Sequence, residues 1–202
     1  MNIIKQELKE KIEDTRFLIR FLCNQGNNVS LHTTLKTSVM LMLYNIIEST
    51  VTVSLKRIHE ELNLHPFNHL DDEIQKTYAD IFFDSKKKKI EVIKDYYDGK
   101  LRFPVYEDYI KVNNIVSGNL DGRKINEILK NYGISVLVCP EKSKLLFIKN
   151  LRNKVAHGEI TFKEASRGIV ISEVEGYISA TEVCLNELIN NINSYFLNEH
   201  YK

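Results

Sequence analysis

The segment from Leu151 to Gly158 is the part of the sequence best suited to chemistry, because it places an arginine and a histidine near an expected helix end. Arg152 is always cationic, and its planar fork matches two oxygens of a phosphate group. His157 carries an imidazole, a group that can take up or release a proton near neutral pH. These residue types suit a site that binds a phosphodiester and moves protons around it.

The spacing of this pair leaves two interpretations of the histidine open. Residues five apart in an ideal helix point about 140° away from each other. Arg152 and His157 could therefore approach one another only if the helix frays or turns left-handed after His157, which Gly158 permits. A histidine at a helix C-terminus also has a purely structural use, because its positive form stabilises the helix dipole.

Basic charge is concentrated around this pair, although the chain as a whole is nearly neutral. The 202 residues include 28 basic and 27 acidic side chains, a formal net charge of +1. Residues 142–167 contain seven basic and two acidic side chains, a local charge of +5, and the rest of the chain carries −4. Composition thus excludes broad coating of nucleic acid by charge and leaves room for a local site that engages a few phosphates.

Helices must position these residues, because 8 glycines and 3 prolines are few for a chain of this length. Apolar periodicity and breaks predict an all-α, single-domain protein over residues 1–202. A long helix near 30–62 is expected to form the spine of the fold or a subunit interface. A Ser172-x-x-Glu175 capping box is expected to open the final helix. The predicted helices are 2–23, 30–62, 71–85, 121–131, 142–156 and 172–196, with a brief extended segment at 135–139 and an irregular insertion around 86–118.

Several function classes are not supported by the sequence. It contains no phosphate-binding glycine loop, no zinc-protease motif and no serine-hydrolase motif. His65 and His69 flank a proline, so we expect no helical metal pair, and we predict no metal and no cofactor. Three distant cysteines indicate reduced, buried thiols. No apolar stretch approaches the length needed to cross a bilayer, and no secretory signal opens the chain, so we expect a cytoplasmic protein without a membrane partner.

The segment Leu151-Arg152-Asn153-Lys154-Val155-Ala156-His157-Gly158-Glu159 resembles the R-x4-6-H signature, often beginning Arg-Asn, of the HEPN superfamily (higher eukaryotes and prokaryotes nucleotide-binding domain). Together with Leu43 to Thr50 in the long helix and Phe162 after the histidine, it is similar to the MAE-like bacterial branch of HEPN nucleases. The resemblance implies a helical bundle, usually dimeric. It frequently implies a metal-independent endoribonuclease of toxin-antitoxin or phage-defence systems, with a cognate antitoxin protein as a further partner. A non-catalytic module that binds nucleotides or a partner protein is the alternative.

RNA suits such a site because its 2′-hydroxyl is a built-in nucleophile, so the protein need only transfer protons and stabilise the charged phosphate. Arg152 and His157 are the predicted catalytic residues. One histidine per chain supplies one proton-transfer group, and a symmetric dimer with both motifs in one cleft would supply an acid and a base. Lys149, Lys154 and Arg167 are predicted to contact RNA.

Three polar residues are predicted to support the pair, each with a bland alternative. By the resemblance, Asn153 orients His157 or contacts phosphate; otherwise it is an exposed helix residue. Glu48 lies where apolar residues cover nearly all faces of the long helix, so it either pairs with Arg152 or His157 or has a structural or exposed role. Asn45, near it on the same helix, shares both interpretations. The lysine run 86–89 is expected to be a solvated surface, with phosphate contact as the alternative.

Overall fold

A computed structural model describes residues 1–24, 26, 28–82, 89–112 and 118–202, without the side chains of residues 80–82, 89 and 112. Over these ranges the chain forms α-helices, one short 3-10 turn at Phe67–His69 and no β-strand, which confirms the all-α class. The helices are α1 Asn2–Cys23, α2 Val29–Asn63, α3 Asp72–Phe82, α4 Lys89–Tyr97, α5 Tyr106–Val112, α6 Gly122–Asn131, α7 Lys142–Ala156 and α8 Ile171–Leu197.

Four long helices form the body of the fold. Helix α2 packs against α1, α7 and α8, and α8 also packs against α1 and α7. Helix α6 lies on α7, α3 contacts α6, and α5 contacts α2. The predicted bounds of α1 and α7 are confirmed to the residue. Helix α2 extends the predicted 30–62 by one residue at each end and is the spine that the sequence indicated.

Helix α2 is central because its middle is apolar on nearly every face. Its buried side chains include Val39, Met40, Leu43, Tyr44 and Ile47. By length and hydropathy this helix also meets the criterion for a bilayer-spanning segment, which differs from the prediction that no segment would. More than half of its most apolar window is buried within this fold, where those side chains form the core.

The last helix begins differently from the prediction. Helix α8 starts at Ile171, so Ser172 lies inside its first turn and the predicted Ser172-x-x-Glu175 box is wrong. Glu173 makes the contact instead, since its carboxylate accepts a hydrogen bond of 2.8 Å from the backbone N–H of Val170. A glutamate in the first turn also suits the positive end of the helix dipole.

The region 86–118 is not an irregular insertion in its described part, which corrects the prediction. It contains α4 and α5, and it contributes Phe103, Tyr106 and Tyr109 to the core. These aromatic residues were not recognised as core because their spacing follows no single helical period. They surround His59 of α2, a fully buried histidine whose surroundings tie this region to the central helix. The lysine run 86–89 falls outside the described side chains.

The cysteines are free thiols, and two of the three are buried as expected. Cys139 and Cys184 are close enough for their thiols to hydrogen-bond, and burial raises the pKa of both. Cys23 is exposed, which corrects the prediction for that residue. Residues 134–139 lead from α6 to α7 outside helix and sheet, and part of their backbone is hydrogen-bonded by side chains. The bonding side chains are Asn126, Glu187 and Asn191.

Candidate active site

The C-terminus of α7 carries the histidine of the motif. His157 is the last residue in a right-handed conformation, and Gly158 follows with a φ of +71°. The N–H of Gly158 donates to the carbonyl of Val155 at 3.1 Å, and that of Glu159 donates to Lys154 at 2.9 Å. This pair of bonds is a Schellman motif, which needs glycine at the left-handed position. The predicted helix end is therefore confirmed.

His157 projects from this helix end into solvent. Its side chain is exposed, and within the described ranges its imidazole has no hydrogen-bond partner. By helical geometry it shares the outer face of α7 with Leu146 and Asn150, while Arg152 points about 140° away from it. In one chain the left-handed turn at Gly158 does not join the two side chains, since no hydrogen bond links them among the described residues.

Arg152 lies on the inner side of α7, against α2. Its guanidinium sits over the ring of Tyr44, with the central carbon 4.6 Å from the ring centroid. One nitrogen, Nη1, donates to the side-chain oxygen of Asn153 at 3.0 Å. No carboxylate in the described part of the chain lies within 4.0 Å of the guanidinium, so this half-buried cation has no ion-pair partner there. Its remaining N–H groups are available to an anion.

Four consecutive residues from the loop before α6 contact Arg152 or residues of α2 and α7 near it. Gly118 approaches Arg152, and its N–H donates to Oε1 of Glu48 at 3.3 Å. Leu120 donates its N–H to the hydroxyl of Tyr44 at 3.3 Å. The side chain of Asn119 accepts a hydrogen bond from Asn153 at 3.4 Å. Asp121 forms an ion pair with Lys149 at 2.6 Å.

The supporting residues are placed as follows. Asn153 contacts Arg152 and Asn119, not His157. Glu48 is half-buried and accepts a hydrogen bond from Gly118, which agrees with the structural alternative; within the described ranges of one chain it makes no ion pair with Arg152 or His157. Asn45 is exposed on α2 and has no hydrogen-bond partner among the residues described.

Lys149 differs from its predicted role because a buried partner holds it. The side chains of Lys149 and Asp121 are only 14% and 5% exposed, and their charged groups lie 2.6 Å apart. Burial alone would raise the pKa of Asp121, but its hydrogen bonds to Lys149 and to the N–H of Lys124 outweigh burial and lower the pKa. Lys149 therefore anchors the loop before α6, with its charge paired to Asp121 in this structure. Lys154 and Arg167 are exposed, as expected for substrate-attracting cations.

The chain after His157 is held on the first third of α2. Thr37 donates its hydroxyl to the carbonyl of Phe162 at 2.8 Å, and its Oγ1 lies 3.0 Å from the hydroxyl oxygen of Ser166. Ser166 donates onward to the carbonyl of Thr33 at 2.7 Å, and Lys36 bonds to the carbonyl of Ile169. These contacts fix the turn that carries Arg167, and the α2 residues that make them follow no motif recognisable in the sequence.

A cleft of about 880 Å³ lies where α6 crosses the N-terminal end of α7. The helices meet closely because Gly122 has no side chain: a Cβ there would lie 2.7 Å from Cβ of Lys142. Arg123, Lys130 and Lys142 line the cleft, whereas its two acids already have basic partners. Those pairs are Asp121 with Lys149 and Glu127 with Lys124. The cleft is therefore a basic surface that adjoins the loop bordering Arg152.

The described residues include no group of three or more histidine, cysteine, aspartate or glutamate side chains that could hold a metal ion. The chemical groups gathered here are a cationic fork, a solvent-exposed imidazole and amide side chains. Such groups can bind a phosphate and transfer a proton.

The family model for the MAE_28990-like HEPN family matches residues 2–201. The chain belongs to the HEPN superfamily. The match covers nearly all of the sequence, including the motif on α7, the central helix and the 86–118 region, and it confirms the resemblance seen in the sequence. Membership indicates a nuclease or nucleotide-binding module. No curated protein and no solved structure matches this HEPN chain.

Proposed function

We propose that this HEPN protein is an endoribonuclease that cuts single-stranded or loop RNA without a metal, as a toxin or phage-defence effector in the cytoplasm. The 2′-hydroxyl attacks the adjacent phosphorus, the bond to the 5′ oxygen breaks, and the products are a 2′,3′-cyclic phosphate and a 5′-hydroxyl. The nucleophile is part of the RNA, so the protein supplies charge stabilisation and proton transfer.

The observation that carries the proposal is the guanidinium of Arg152, which has no ion-pair partner among the residues that the structure describes. Half-buried charged groups normally have a partner, because removing them from water is costly. Tyr44 covers one face of the guanidinium, and the N–H groups other than the bond to Asn153 have no acceptor within the described chain. A phosphate would provide two acceptors in the plane of the fork.

The exposed position of His157 supports a site shared between two copies of the chain. Cleavage needs a base for the 2′-hydroxyl and an acid for the leaving oxygen, and one chain offers a single histidine at the motif. We propose a symmetric dimer in which two α7 ends meet, so that two Arg152 and two His157 side chains face one strand. The outer face of α7 also exposes Leu146 and Phe147, by 44% and 40%, which suits contact with a second copy.

The basic cleft between α6 and α7 gives the RNA a path beyond the cutting site. Lys142 lies ten residues before Arg152, about 15 Å along the helix. An RNA strand whose scissile phosphate binds Arg152 could therefore place neighbouring phosphates near Lys142 and Arg123, while Lys154 and Arg167 attract the strand from the other end of α7.

A binding-only module is the second candidate, and one observation favours it. In a single chain Arg152 and His157 are not joined, and the imidazole reaches solvent without a partner in the described ranges. If no dimer brings the motifs together, the same surface would bind RNA or a nucleotide without cutting it. A cognate antitoxin protein that covers α7 is compatible with either candidate.

The deciding experiment incubates the purified protein with end-labelled RNA, in EDTA and in magnesium, and separates the products on a denaturing gel. We expect cleavage in both buffers and 2′,3′-cyclic phosphate ends. Arg152→Ala and His157→Ala should each lower the rate by roughly 10²- to 10⁴-fold, because each removes a group used in the transition state. His69→Ala, another exposed histidine, is the matched control and should cleave normally.

Two results would contradict the proposal. RNA cut equally well by the His157→Ala protein would remove the imidazole from the mechanism. Binding of RNA by the wild-type protein without any scission would favour the binding-only module. The dimer is checked by light scattering, where a mass near the 23.6 kDa of one chain during active cleavage would exclude the shared site.

A further inference from the structure

The loop before α6 touches the site at every one of four successive residues, and none of these contacts follows from the HEPN motif itself. We call Gly118 to Asp121 the 118–121 segment. Its side chains and backbone reach two different helices at once, α2 and α7. The contacts are Gly118 with Glu48 and Arg152, Asn119 with Asn153, Leu120 with Tyr44, and Asp121 with Lys149.

Gly118 forms one wall of the space that holds the arginine. A Cβ at this position would lie 2.9 Å from Nη1 of Arg152, closer than real side chains approach. The residue also has a φ of +67°, which favours glycine. The ring of Tyr44 contacts the guanidinium as well. Any larger residue at 118 must displace the guanidinium from its position over the ring.

Two buried contacts hold the segment in register with Arg152. Leu120 is fully buried and donates its N–H to the Tyr44 hydroxyl. Asp121 is 3% exposed and pairs with Lys149, which precedes Arg152 by three residues and so lies on the same side of α7. Asp121 also accepts from the N–H groups of Arg123 and Lys124 at 3.0 Å, which ties the segment to the start of α6.

We infer that the 118–121 segment is a positioning element for Arg152, which holds the guanidinium beside Gly118 and against Tyr44 with its free N–H groups presented to the scissile phosphate. The inference rests on the proposed nuclease function. A long arginine side chain otherwise samples many rotamers, and fixing it before RNA binds removes that cost from the reaction. The segment thereby acts on the reaction through Arg152, without a reacting group of its own.

The test compares Gly118→Ala with Gly99→Ala. Both glycines have a φ of +67°, so both substitutions strain the backbone, but nothing lies within 4 Å of the Cβ position at Gly99. We expect Gly118→Ala to slow single-turnover cleavage of bound RNA by at least tenfold, with the Kd for RNA changed by less than threefold, because the positive charge is displaced and not removed. Gly99→Ala should match the wild-type protein in both measurements.

A second measurement follows the guanidinium directly. In arginine-labelled protein the side-chain NMR signals of Arg152, assigned with Arg152→Lys, should be shifted by the ring current of Tyr44. Gly118→Ala should reduce this shift, and Gly99→Ala should keep it. Asp121→Asn should reduce it less, since asparagine still caps α6 while its charged pair with Lys149 is lost.

The outcomes separate this inference from the proposed function. Gly118→Ala protein that cuts bound RNA at the wild-type rate and keeps the Arg152 shift would overturn the positioning role. A tenfold weaker Kd with an unchanged cleavage rate would also overturn it, because the segment would then act on binding alone. Wild-type protein that cuts no RNA would refute the nuclease, and the NMR comparison would still decide whether the segment positions Arg152.

Discussion

The Arg152 site and the cluster around His59 both place an ionisable side chain against aromatic rings, and they satisfy its hydrogen bonds in opposite ways. His59 is fully buried, with Nδ1 2.8 Å from the carbonyl of Pro104 and Nε2 2.7 Å from the hydroxyl of Tyr132. Arg152 is half-buried and, among the described residues, makes one hydrogen bond, to Asn153. Both nitrogens of His59 have a partner within the chain, whereas several N–H groups of Arg152 have none in the part that the structure describes.

The two regions also differ in charge, because His59 is enclosed by aromatic rings whereas Arg152 is only half-buried. The ring centroids of four aromatic residues lie 4.6 to 5.7 Å from that of His59. Burial among them lowers the pKa of His59 to about 4, so this histidine is neutral at pH 7, although its bond to Pro104 and the charge of Glu107 act in the other direction. Arginine, by contrast, is a permanently cationic residue type. A buried histidine with both nitrogens bonded stabilises the fold, whereas the N–H groups of Arg152 without an acceptor in the described chain are the basis of the proposed phosphate contact.

The largest expected effect comes from replacing the planar guanidinium of Arg152 with an ammonium that keeps the positive charge. Arg152→Lys should lower RNA cleavage by roughly 10²- to 10³-fold, because an ammonium neither stacks flat on Tyr44 nor binds two phosphate oxygens in one plane. Its free energy of unfolding should change little. Gel assays of the rate and urea denaturation measure the two quantities.

His59→Phe is the matched contrast for that variant. It should lower the free energy of unfolding and leave the cleavage rate per folded molecule unchanged, because Tyr132 and Pro104 lose their partner far from the reacting groups. Equal loss of cleavage in Arg152→Lys and His59→Phe would contradict the assignment of cleavage to the Arg152 site and of stability to the His59 cluster.

Acid should destabilise the protein through His59. A depressed pKa means that the unfolded chain, with an ordinary histidine pKa near 6.5, takes up its proton first as the pH falls. The stability due to neutral His59 is therefore complete above about pH 6.5 and is lost between there and about pH 4. The total is on the order of 3 kcal/mol. Urea denaturation at several pH values measures it.

His59→Phe removes this titration and provides the control for the acid experiment. The unfolding free energy of the variant should fall less steeply between pH 6.5 and pH 4 than that of the wild-type protein, although it starts lower at pH 7. Parallel curves for the two proteins would assign the acid sensitivity to other groups, such as the carboxylates paired with lysine and arginine.

The sequence predicted the site helix well because its signals are local. Apolar spacing defines α7, and the His157-Gly158 pair predicts its end, since a left-handed residue after a helix favours glycine. The motif likewise singled out Arg152 and Asn153, although Asn153 was predicted to orient His157 or contact phosphate and instead accepts a hydrogen bond from Arg152. All of this information lies within about 20 consecutive residues.

The surroundings of Arg152 could not be predicted, because they are assembled from distant segments. Asp121 is recognisable as a helix cap, yet its buried pair with Lys149 joins residues 28 apart, with no periodic signal. Through that pair Lys149, predicted to contact RNA, anchors the loop before α6. For Glu48 the sequence left both a cationic partner and a structural role open, and its contact with the backbone of Gly118 depends on how an unpatterned loop folds back.

The smallest expected effect separates the contribution of the Tyr44 hydroxyl from that of its ring. Tyr44→Phe keeps the ring beneath Arg152 and loses only the acceptor for the N–H of Leu120, so cleavage should fall by no more than about threefold.

Tyr44→Leu removes the ring and should cost about 0.5–2 kcal/mol of the cation–π contact, a loss of roughly 2- to 30-fold in rate. Single-turnover cleavage by the wild-type, Tyr44→Phe and Tyr44→Leu proteins measures the loss of the hydroxyl and the loss of the ring. Circular dichroism checks that the variants are folded. If Tyr44→Phe lost as much activity as Tyr44→Leu, the hydroxyl would be the important part, and the position of Arg152 would depend on the anchored loop more than on the aromatic face.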